Sequence, residues 1–405
     1  MIVDHINSYN PQISHYRREH APRRRYLPPE ITLKSMFADF MIKQPKFCTY
    51  DKYRKVVQKM NISFARLGVE ECEFCVMHAN HSALCENAQS CDVCQKHVEH
   101  KQLAGKIRQL YTEDKNKPVS ADHSFRSVDL QKVLMLPCLP GMKSAVFTRR
   151  LVVFHETFAP LKTLENTIAV LWHEGIAGRS ASDIASTFIT AMKQEPNVEH
   201  FTFWMDNCSA QNKNWTIFSA MVSHVNSNSS NPQSVTFKFL LAGHTFMSAD
   251  AFHAKVEKEI RLKRNLCDFG DLQDAVTKAN KNVKVVSMDS GDFHKWESGA
   301  YSARKSGRPL LSSIHQVRFV KGSKCMHYTL HPGGTESTYD FLTKKFKLSE
   351  PQSKTVRGIP SEKKNEIIAK LCPLMSDQTK THFWTGLPIS DVPDLIDHDD
   401  DDVRN

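Results

Sequence analysis

The sequence predicts a mixed α/β protein, and two observations support this prediction. Between residues 121 and 262, short β-rich segments alternate with helical segments at the spacing of one mixed sheet. Apolar residues make up 40% of the 405 residues and charged residues 24%, which is typical of a globular protein with a sizeable core. No apolar run approaches the ~20 residues that a membrane-spanning helix needs, so we expect no membrane partner.

The first two segments precede this α/β region. Residues 1–30 are rich in arginine and close on Pro28-Pro29, which predicts a basic, flexible arm. Residues 31–112 are predicted to be a helical module, because apolar residues from Leu33 to Met41 recur at helical spacing and residues 101–112 follow the same pattern. The five cysteines of residues 72–94 lie inside this module.

The α/β region, residues 121–262, has the order β-β-β-α-β-α-β-α. Its β-rich segments are residues 128–137, 145–158, 167–172, 201–205 and 235–241, and its helices are residues 181–192, 215–225 and 248–262. Three antiparallel strands followed by alternating helices and parallel strands are the order of the RNase H-like fold, so we expect a five-stranded mixed sheet. Residues 263–390 are expected to extend this core, with a hairpin at 317–330 and a helix at 361–371. Residues 391–405 are predicted to be an acidic, disordered tail.

Two decapeptides inside residues 31–112 share the pattern C-x2-C-x2-H-x2-H. They are CEFCVMHANH, which begins at Cys72, and CDVCQKHVEH, which begins at Cys91. Two residues between cysteines let both thiolates reach one ion, and Zn²⁺ takes four Cys or His ligands in a tetrahedron. The start of the chain lacks the pattern of a secretory signal, so clustered cysteines favour metal over disulfides. We therefore predict structural zinc.

The spacing leaves the number of zinc ions open. One site can be built from Cys72, Cys75, Cys91 and Cys94. Alternatively, two sites use the histidines as well, with His78, His81, His97 and His100 as the further candidates. Since His97 and His100 lie three positions apart on a predicted helix, they can equally be surface residues of that helix.

Three aspartates occupy positions where strands of the predicted sheet come together. Asp129 lies in the first strand, Asp206 ends the fourth, and Asp250 opens the helix after the fifth. Carboxylate oxygens are the ligands that Mg²⁺ and Mn²⁺ prefer, and two such ions about 3.5–4 Å apart promote phosphodiester cleavage. We therefore predict a magnesium or manganese site, although Asp206 alone fits a strand-ending turn and Asp250 alone fits a helix cap.

Further polar residues surround this predicted site. His253 and Glu257 follow Asp250 on one helix face, and Glu257 is the alternative third acid. Glu174 is a weaker candidate, because a solvated loop acid is the better explanation for it. The candidate substrate-binding residues are Gln211, Lys213 and His244, the last beside Gly243, where the backbone can approach a phosphate.

From Leu33 to Trp384 the chain resembles a family of uncharacterised, multicopy animal proteins that look like products of DDE-type transposons. The resemblance is carried by the CxxC module with HVEH, DLQ at Asp129, WHEG at residues 172–175, MDNCSAQNKN at residues 205–214 and GHTFMSADAFHAKVE at residues 243–257. It implies a transposase-like core with Asp129, Asp206 and Asp250 as its acids. Ser248 departs from the pattern, since an acidic residue is expected there.

The net charge of +10 and the pI near 9.0 favour a polyanionic partner, DNA above all. Two functions are compatible with these features: metal-dependent DNA cleavage and strand transfer, or a catalytically silent factor that binds DNA or protein. For either we expect an intracellular, nuclear location, with a homo-oligomer as a further possibility. The sequence lacks the GxSxG, GxxxxGK[ST] and GxGxxG motifs, which argues against serine hydrolases, P-loop NTPases and Rossmann dehydrogenases.

Overall fold

A computed structural model describes most of the chain, and its contacts divide the protein into two units. The described residues are 1–9, 11–13, 25–27, 33–45, 47–64, 72–82, 85, 87–118, 120–162, 165–208, 212–228, 230–301, 307–348 and 351–390. The first unit consists of Met1–Gln102 with Ala242–Phe246, and the second of Leu103–Leu241 with Met247–Asn405. The predicted acidic tail, residues 391–405, lies outside the described residues. Among those that are described, no helix has the length and apolar character needed to span a bilayer.

The first unit is built from short helices and a small three-stranded sheet. Its elements are α1 (Ile2–Ser8), β1 (Gln12–Ile13), β2 (Arg25–Leu27), α2 (Leu33–Lys43), α3 (Tyr50–Lys59), β3 (Ile62–Phe64), α4 (Glu73–Ser82) and the beginning of α5 (Asp92–Asn116). Strand β2 pairs with β1 in antiparallel fashion and with β3 in parallel fashion.

Helix α1 differs from the flexible arm that the sequence predicts for residues 1–30. Ile6 is fully buried in a cluster with Phe40 and Tyr53. The His5 ring lies 5.1 Å from that of Phe40, and His5 Nδ1 is 2.8 Å from the Tyr53 hydroxyl. These contacts order residues 2–8, because they bury the apolar side of a short helix. The sequence prediction missed this helix because it was based on the arginines of residues 17–25.

The second unit contains the large sheet and the helices that cover it. After the end of α5 its strands are β4 (His123–Leu130), β5 (Leu134–Leu136), β6 (Leu151–Pro160), β7 (Thr167–His173), β8 (His200–Met205), β9 (Ser234–Phe239), β10 (Val283–Ser287), β11 (Gln316–Val320), β12 (Met326–Thr329) and β13 (Ser337–Tyr339). Its helices are α6 (Lys143–Phe147), α7 (Ala181–Lys193), α8 (Trp215–Val225), α9 (Ser248–Lys263), α10 (Phe269–Ala279), α11 (Ser361–Lys370) and α12 (Thr381–Gly386).

The sheet has ten strands in the described part of the chain, rather than the five that the sequence predicts. Their order is β10-β7-β6-β4-β8-β9-β11-β12-β13, with β5 paired to β6. Strand β6 is antiparallel to both of its neighbours, β7 and β4, whereas β4, β8 and β9 are parallel. Four of the five extra strands come from residues outside the predicted α/β region: β10 adds at one edge, and β11 to β13 add at the other. The fifth, β5, lies within the predicted first strand, residues 128–137, and pairs with β6.

Strand β7 shows how the core is divided between the two faces of this sheet. All seven of its residues are buried. Trp172 belongs to a cluster that includes Phe188 of α7 and Phe218 of α8. Leu171, which points the other way, belongs to a cluster with Phe252 of α9 and Leu272 of α10. Because helices cover both faces, the strand is a continuous apolar run rather than an alternating one.

Candidate metal centres

The first cluster of candidate metal ligands combines Cys72, Cys75, His100 and His244. Cys72 precedes α4 and Cys75 lies in its first turn, while His100 is on α5. His244 comes from the loop after β9, where Gly243 adopts a positive φ of 74° that favours glycine. The Cys72 Sγ to His100 Nε2 distance is 3.2 Å, and the Cys75 Sγ to His244 Nε2 distance is 3.6 Å. Four donor atoms therefore face one small volume.

The second cluster combines His81, Cys85, Cys91 and Cys94. His81 lies near the end of α4, and Cys91 and Cys94 flank the start of α5. His81 Nε2 is 3.1 Å from Cys91 Sγ, and Cys94 Sγ is 3.8 Å from Cys85 Sγ. The sulfur atoms are not bonded, since a disulfide requires about 2.05 Å.

Both clusters have the spacing of a tetrahedral zinc site. Ligands at about 2.3 Å (sulfur) and 2.0 Å (nitrogen) from one ion lie roughly 3.3–3.8 Å from each other. The contact distances named above run from 3.1 Å to 3.8 Å, His100 Nε2 is 3.0 Å from His244 Nε2, and all ligand atoms of each cluster lie within 4.8 Å of one another. Helix α4 buries none of its residues, so apolar packing does little to fix it. These Cys and His donor sets suit Zn²⁺.

The ligand sets differ from the sequence prediction in four residues. His78 and His97 belong to neither cluster; their rings stack on each other at 3.7 Å. His244, predicted to bind substrate, is a member of the first cluster, and Cys85 joins the second. The two CxxC pairs are also in separate clusters, so the single four-cysteine site is not formed. Cys85 could have been found from the sequence, because it is one of the five cysteines of residues 72–94. For His244 the sequence offers no sign of metal binding, only the neighbouring Gly243.

The electrostatic environment of Cys91 differs from that of the other cysteines. A hydrogen bond from the backbone of Cys94, and a further one from the His81 side chain, lower the pKa of Cys91 to about 6. Burial acts in the opposite direction but does not outweigh them. Burial and the neighbouring thiols raise the pKa of Cys94 and of Cys75 to about 11 each. A cation in each cluster would favour the thiolate at all of these positions.

A third cluster lies in the second unit and combines Asp129, Asp250 and His253, whose ligand atoms all lie within 4.8 Å of one another. Asp129 is on β4, and the other two are on α9. His253 Nδ1 is 3.3 Å from Asp129 Oδ2, and Asp250 Oδ2 accepts a hydrogen bond from the Met247 amide at 2.7 Å. Asp250 therefore caps its helix and also faces Asp129.

Repulsion between carboxylates is evident at this third cluster. Burial first, and then the charge of Asp129, raises the pKa of Asp250 to about 6; Asp206 contributes in the same direction. Two carboxylates in close proximity resist ionising together unless a cation lies between them. The arrangement is therefore suited to a hard divalent ion.

Asp206 is beside this cluster but not a member of it. In the parallel pairing of β4 and β8, Ser127 is opposite Trp204, and continuing that register by two residues sets Asp129 beside Asp206. Asp206 Oδ1 accepts hydrogen bonds from the Cys208 amide, at 3.2 Å, and from the side chain of Asn212. The sequence-based prediction of a strand-ending turn and that of an acid near Asp129 thus both apply to it.

The structure places the other acidic candidates elsewhere. Glu257 Oε1 is 2.8 Å from Lys132 Nζ and is outside the cluster. Glu174, expected as a solvated loop acid, is buried instead, where it accepts hydrogen bonds from Lys363 at 2.7 Å and from the Val152 amide at 2.6 Å.

Of the remaining polar candidates, Lys213 is described and is not assembled at the cluster. Lys213 is only 1% exposed, and its Nζ donates to the Ile314 carbonyl, so it does not present its charge to a substrate. Burial lowers its pKa to about 7. Gln211 lies outside the described residues. Ser248, where an acid is expected, has its hydroxyl 3.1 Å from that of Tyr111.

Comparison with known proteins adds one match. Residues 182–329, from α7 to the end of β12, are similar to a family described as a domain of unknown function (DUF7869). This range includes Asp206, Asp250 and His253 and excludes Asp129. No curated protein and no solved structure matches the chain.

Proposed function

We propose that the second unit is an RNase H-like core, derived from a transposase, that cleaves DNA phosphodiester bonds with the help of divalent cations. The observation that carries this proposal is the convergence of Asp129 with Asp250 and His253 within 4.8 Å. Asp129 would hold the cation from the sheet and Asp250 from the helix. Asp206, beside Asp129 in the register, is the candidate third acid.

The order of the central strands supports this fold assignment. The five central strands are β7-β6-β4-β8-β9 in the order in which they lie in the sheet. If these five alone are numbered along the chain, leaving out β5, their order is 3-2-1-4-5. The first three are antiparallel and the last two run parallel to the first, as in the topology that the sequence predicts. The carboxyl end of the first strand then lies beside that of the fourth, which is where the two aspartates are.

The chemistry follows from the charges at this edge. Mg²⁺ or Mn²⁺ bound there supplies positive charge that stabilises the attacking and leaving oxygens of a phosphodiester. Asp129 and Asp250 would orient that charge, and the raised pKa of Asp250 reflects the electrostatic cost that a cation relieves. The net charge of +10 provides long-range attraction to DNA, and a nuclear location and a homo-oligomer are part of this proposal.

We assign a structural role to zinc in both Cys/His clusters. All four positions of each tetrahedron are filled by protein side chains, which leaves no open position for a substrate. Helix α4, which buries none of its residues, would be held mainly by the two ions.

The test is a cleavage assay on labelled duplex and single-stranded DNA with the zinc-loaded protein. Divalent ions are omitted rather than chelated, so that zinc stays bound. Asp129→Asn and Asp250→Asn should each lower Mg²⁺- or Mn²⁺-dependent cleavage by at least about 100-fold. Glu257→Gln is the matched control, because Glu257 pairs with Lys132 outside the cluster and should retain near wild-type cleavage. Equal cleavage by the Asp129→Asn variant would disprove the proposed site.

The second candidate function is a catalytically silent factor that binds DNA or protein. It is favoured by the position of Asp206, which is outside the 4.8 Å group and already accepts two hydrogen bonds. The two functions separate in a binding assay at increasing salt, since phosphate contacts make affinity fall steeply with salt. Salt-dependent binding without cleavage of any DNA supports the silent factor, and absence of binding at low salt contradicts DNA as a partner for both.

A further inference from the structure

A chain of hydrogen bonds leads from the buried part of the sheet to the acidic cluster. Gln131 Oε1 is 2.7 Å from His155 Nδ1, and His155 Nε2 is 3.0 Å from Thr157 Oγ1. Thr157 Oγ1 is in turn 2.9 Å from His253 Nε2. His155 and Thr157 lie on the same face of β6, two residues apart, and are 1% and 0% exposed. No solvent competes for these contacts.

The direction of the hydrogen bonds is set by the atom of the Gln131 amide that faces His155, which is the oxygen in the orientation considered first. The Gln131 oxygen can only accept, so His155 Nδ1 carries a hydrogen, and burial favours the neutral imidazole. His155 Nε2 is then an acceptor and takes the hydroxyl hydrogen of Thr157. Thr157 Oγ1 accepts from His253 Nε2 in turn. In the tautomer with its hydrogen on Nε2, His253 has the Nδ1 lone pair facing Asp129 Oδ2 at 3.3 Å.

A lone pair and a carboxylate oxygen repel each other at that distance unless a cation lies between them. We propose that His253 Nδ1 is a direct ligand of the cation held by Asp129 and Asp250, and that Thr157 is a positioning residue that keeps His253 in the tautomer required. The mixed nitrogen and oxygen donors select Mn²⁺ or a similar transition-metal ion over Mg²⁺ and Ca²⁺, which prefer oxygen alone. This inference rests on the proposed function only for the presence of a divalent cation at the cluster.

The opposite direction of the chain makes a different prediction. With the Gln131 amide reversed, its buried Nε2, which otherwise has no partner among the described residues, donates to His155. Each hydrogen bond then inverts and His253 Nδ1 donates to Asp129. His253 would then orient that carboxylate without touching the ion. The two arrangements differ in one measurable property, which is whether a nitrogen atom is bonded to the metal.

The experiment adds Mn²⁺ to the full chain with zinc already bound, so that the Cys/His clusters are filled. Pulsed electron paramagnetic resonance should show strong coupling of Mn²⁺ to a histidine nitrogen, which changes on ¹⁵N labelling and disappears in His253→Asn. Thr157→Val should weaken Mn²⁺ binding about 10-fold or more, as loss of an outer-shell partner does. Thr157→Ser keeps the hydroxyl and should restore the affinity.

Two results would overturn the inference: bound Mn²⁺ without nitrogen coupling in the wild-type protein, or Thr157→Val binding Mn²⁺ as tightly as Thr157→Ser. The nitrogen coupling of the wild type decides the matter even if Thr157→Val fails to fold. Cleavage is measured separately: nitrogen-coupled Mn²⁺ without cleavage contradicts the proposed function alone, whereas cleavage without nitrogen coupling contradicts only this inference.

Discussion

His100 Nε2 lies 3.0 Å from His244 Nε2, although the two residues are 144 positions apart in the chain. Both face the thiols of Cys72 and Cys75. The first cluster is therefore completed by a residue far outside the repeated decapeptides, and its ligands can be tested one by one.

We expect His244→Asn to lower the zinc content from two ions per chain to one, because a tetrahedral site loses most of its affinity with a ligand. His78→Asn should retain both ions, since His78 stacks on His97 and is outside the clusters. Metal analysis of the purified variants by mass spectrometry measures this. Loss of zinc from the His78 variant and not from the His244 variant would show that His78, as predicted from the sequence, is the zinc ligand and that His244 is not.

For the second cluster we expect Cys85→Ser to release one zinc ion to a chromophoric chelator much faster than the wild type. The Cys85 and Cys94 sulfurs are 3.8 Å apart, at the separation of two thiolates on one ion. Cys48→Ser is the control, because Cys48 packs beside the α1–α3 cluster of the first unit. Identical release from both variants would exclude Cys85 as a ligand.

In zinc-free protein, Cys91 should be alkylated before Cys75 and Cys94. Its pKa of about 6 makes it mainly a thiolate at pH 7, whereas the other two, with a pKa of about 11, remain thiols. The rate at Cys91 should fall roughly tenfold between pH 7 and pH 5 as the thiolate is protonated. Peptide mapping after brief iodoacetamide treatment identifies the residue, and preferential labelling of Cys75 would contradict the assignment.

Glu156 should make the free energy of unfolding depend on pH. Burial raises its pKa from 4.5 to about 8, with a smaller contribution from Asp129, while the Thr187 hydroxyl donates to it. The folded protein thus keeps a proton that the unfolded chain releases above pH 4.5. The contribution of Glu156 to the free energy of unfolding is therefore largest below that pH and falls as the pH rises to 8, by at most about 1.4 kcal/mol per pH unit.

Glu156→Gln keeps the shape and removes the titration. Denaturant unfolding between pH 5 and pH 8 should therefore give a flatter stability profile for the variant, which becomes more stable than the wild type towards pH 8. Parallel profiles for the two proteins would show that Glu156 does not carry the proton.

Much of the second unit was predictable because its elements have strong local patterns. The helix expected at residues 181–192 is Ala181–Lys193, and the hairpin expected at 317–330 is β11 with β12. The three outer strands β11 to β13 and the strand β10 were not assigned to the sheet, since pairing between distant segments leaves no periodic signal in one sequence. For the same reason the sheet was predicted too small.

The candidate sites show the same division between local and distant information. Cys72, Cys75, Cys91 and Cys94 were found because two-residue spacing is itself the ligand pattern. His78 and His97 were chosen because they follow the CxxC pairs at equal distances, but their rings stack on each other instead. The proximity of Asp129 and His253 could be predicted from the expected order of strands and helices. The hydrogen bond between Thr157 and His253 could not be predicted in this way.

During synthesis of the chain, the two Cys/His clusters become complete at different times. In the second cluster His81 and Cys91 are only 10 positions apart, so its four donors leave the ribosome almost together. In the first cluster, His244 is synthesised 169 positions after Cys75, so the cluster stays incomplete until then. At ~5–20 residues per second the His244 donor, 144 positions after His100, follows it after roughly 7–30 s. Throughout that interval the nascent chain exposes two thiols and one imidazole without their fourth partner, and oxidation or capture of the wrong metal competes with folding.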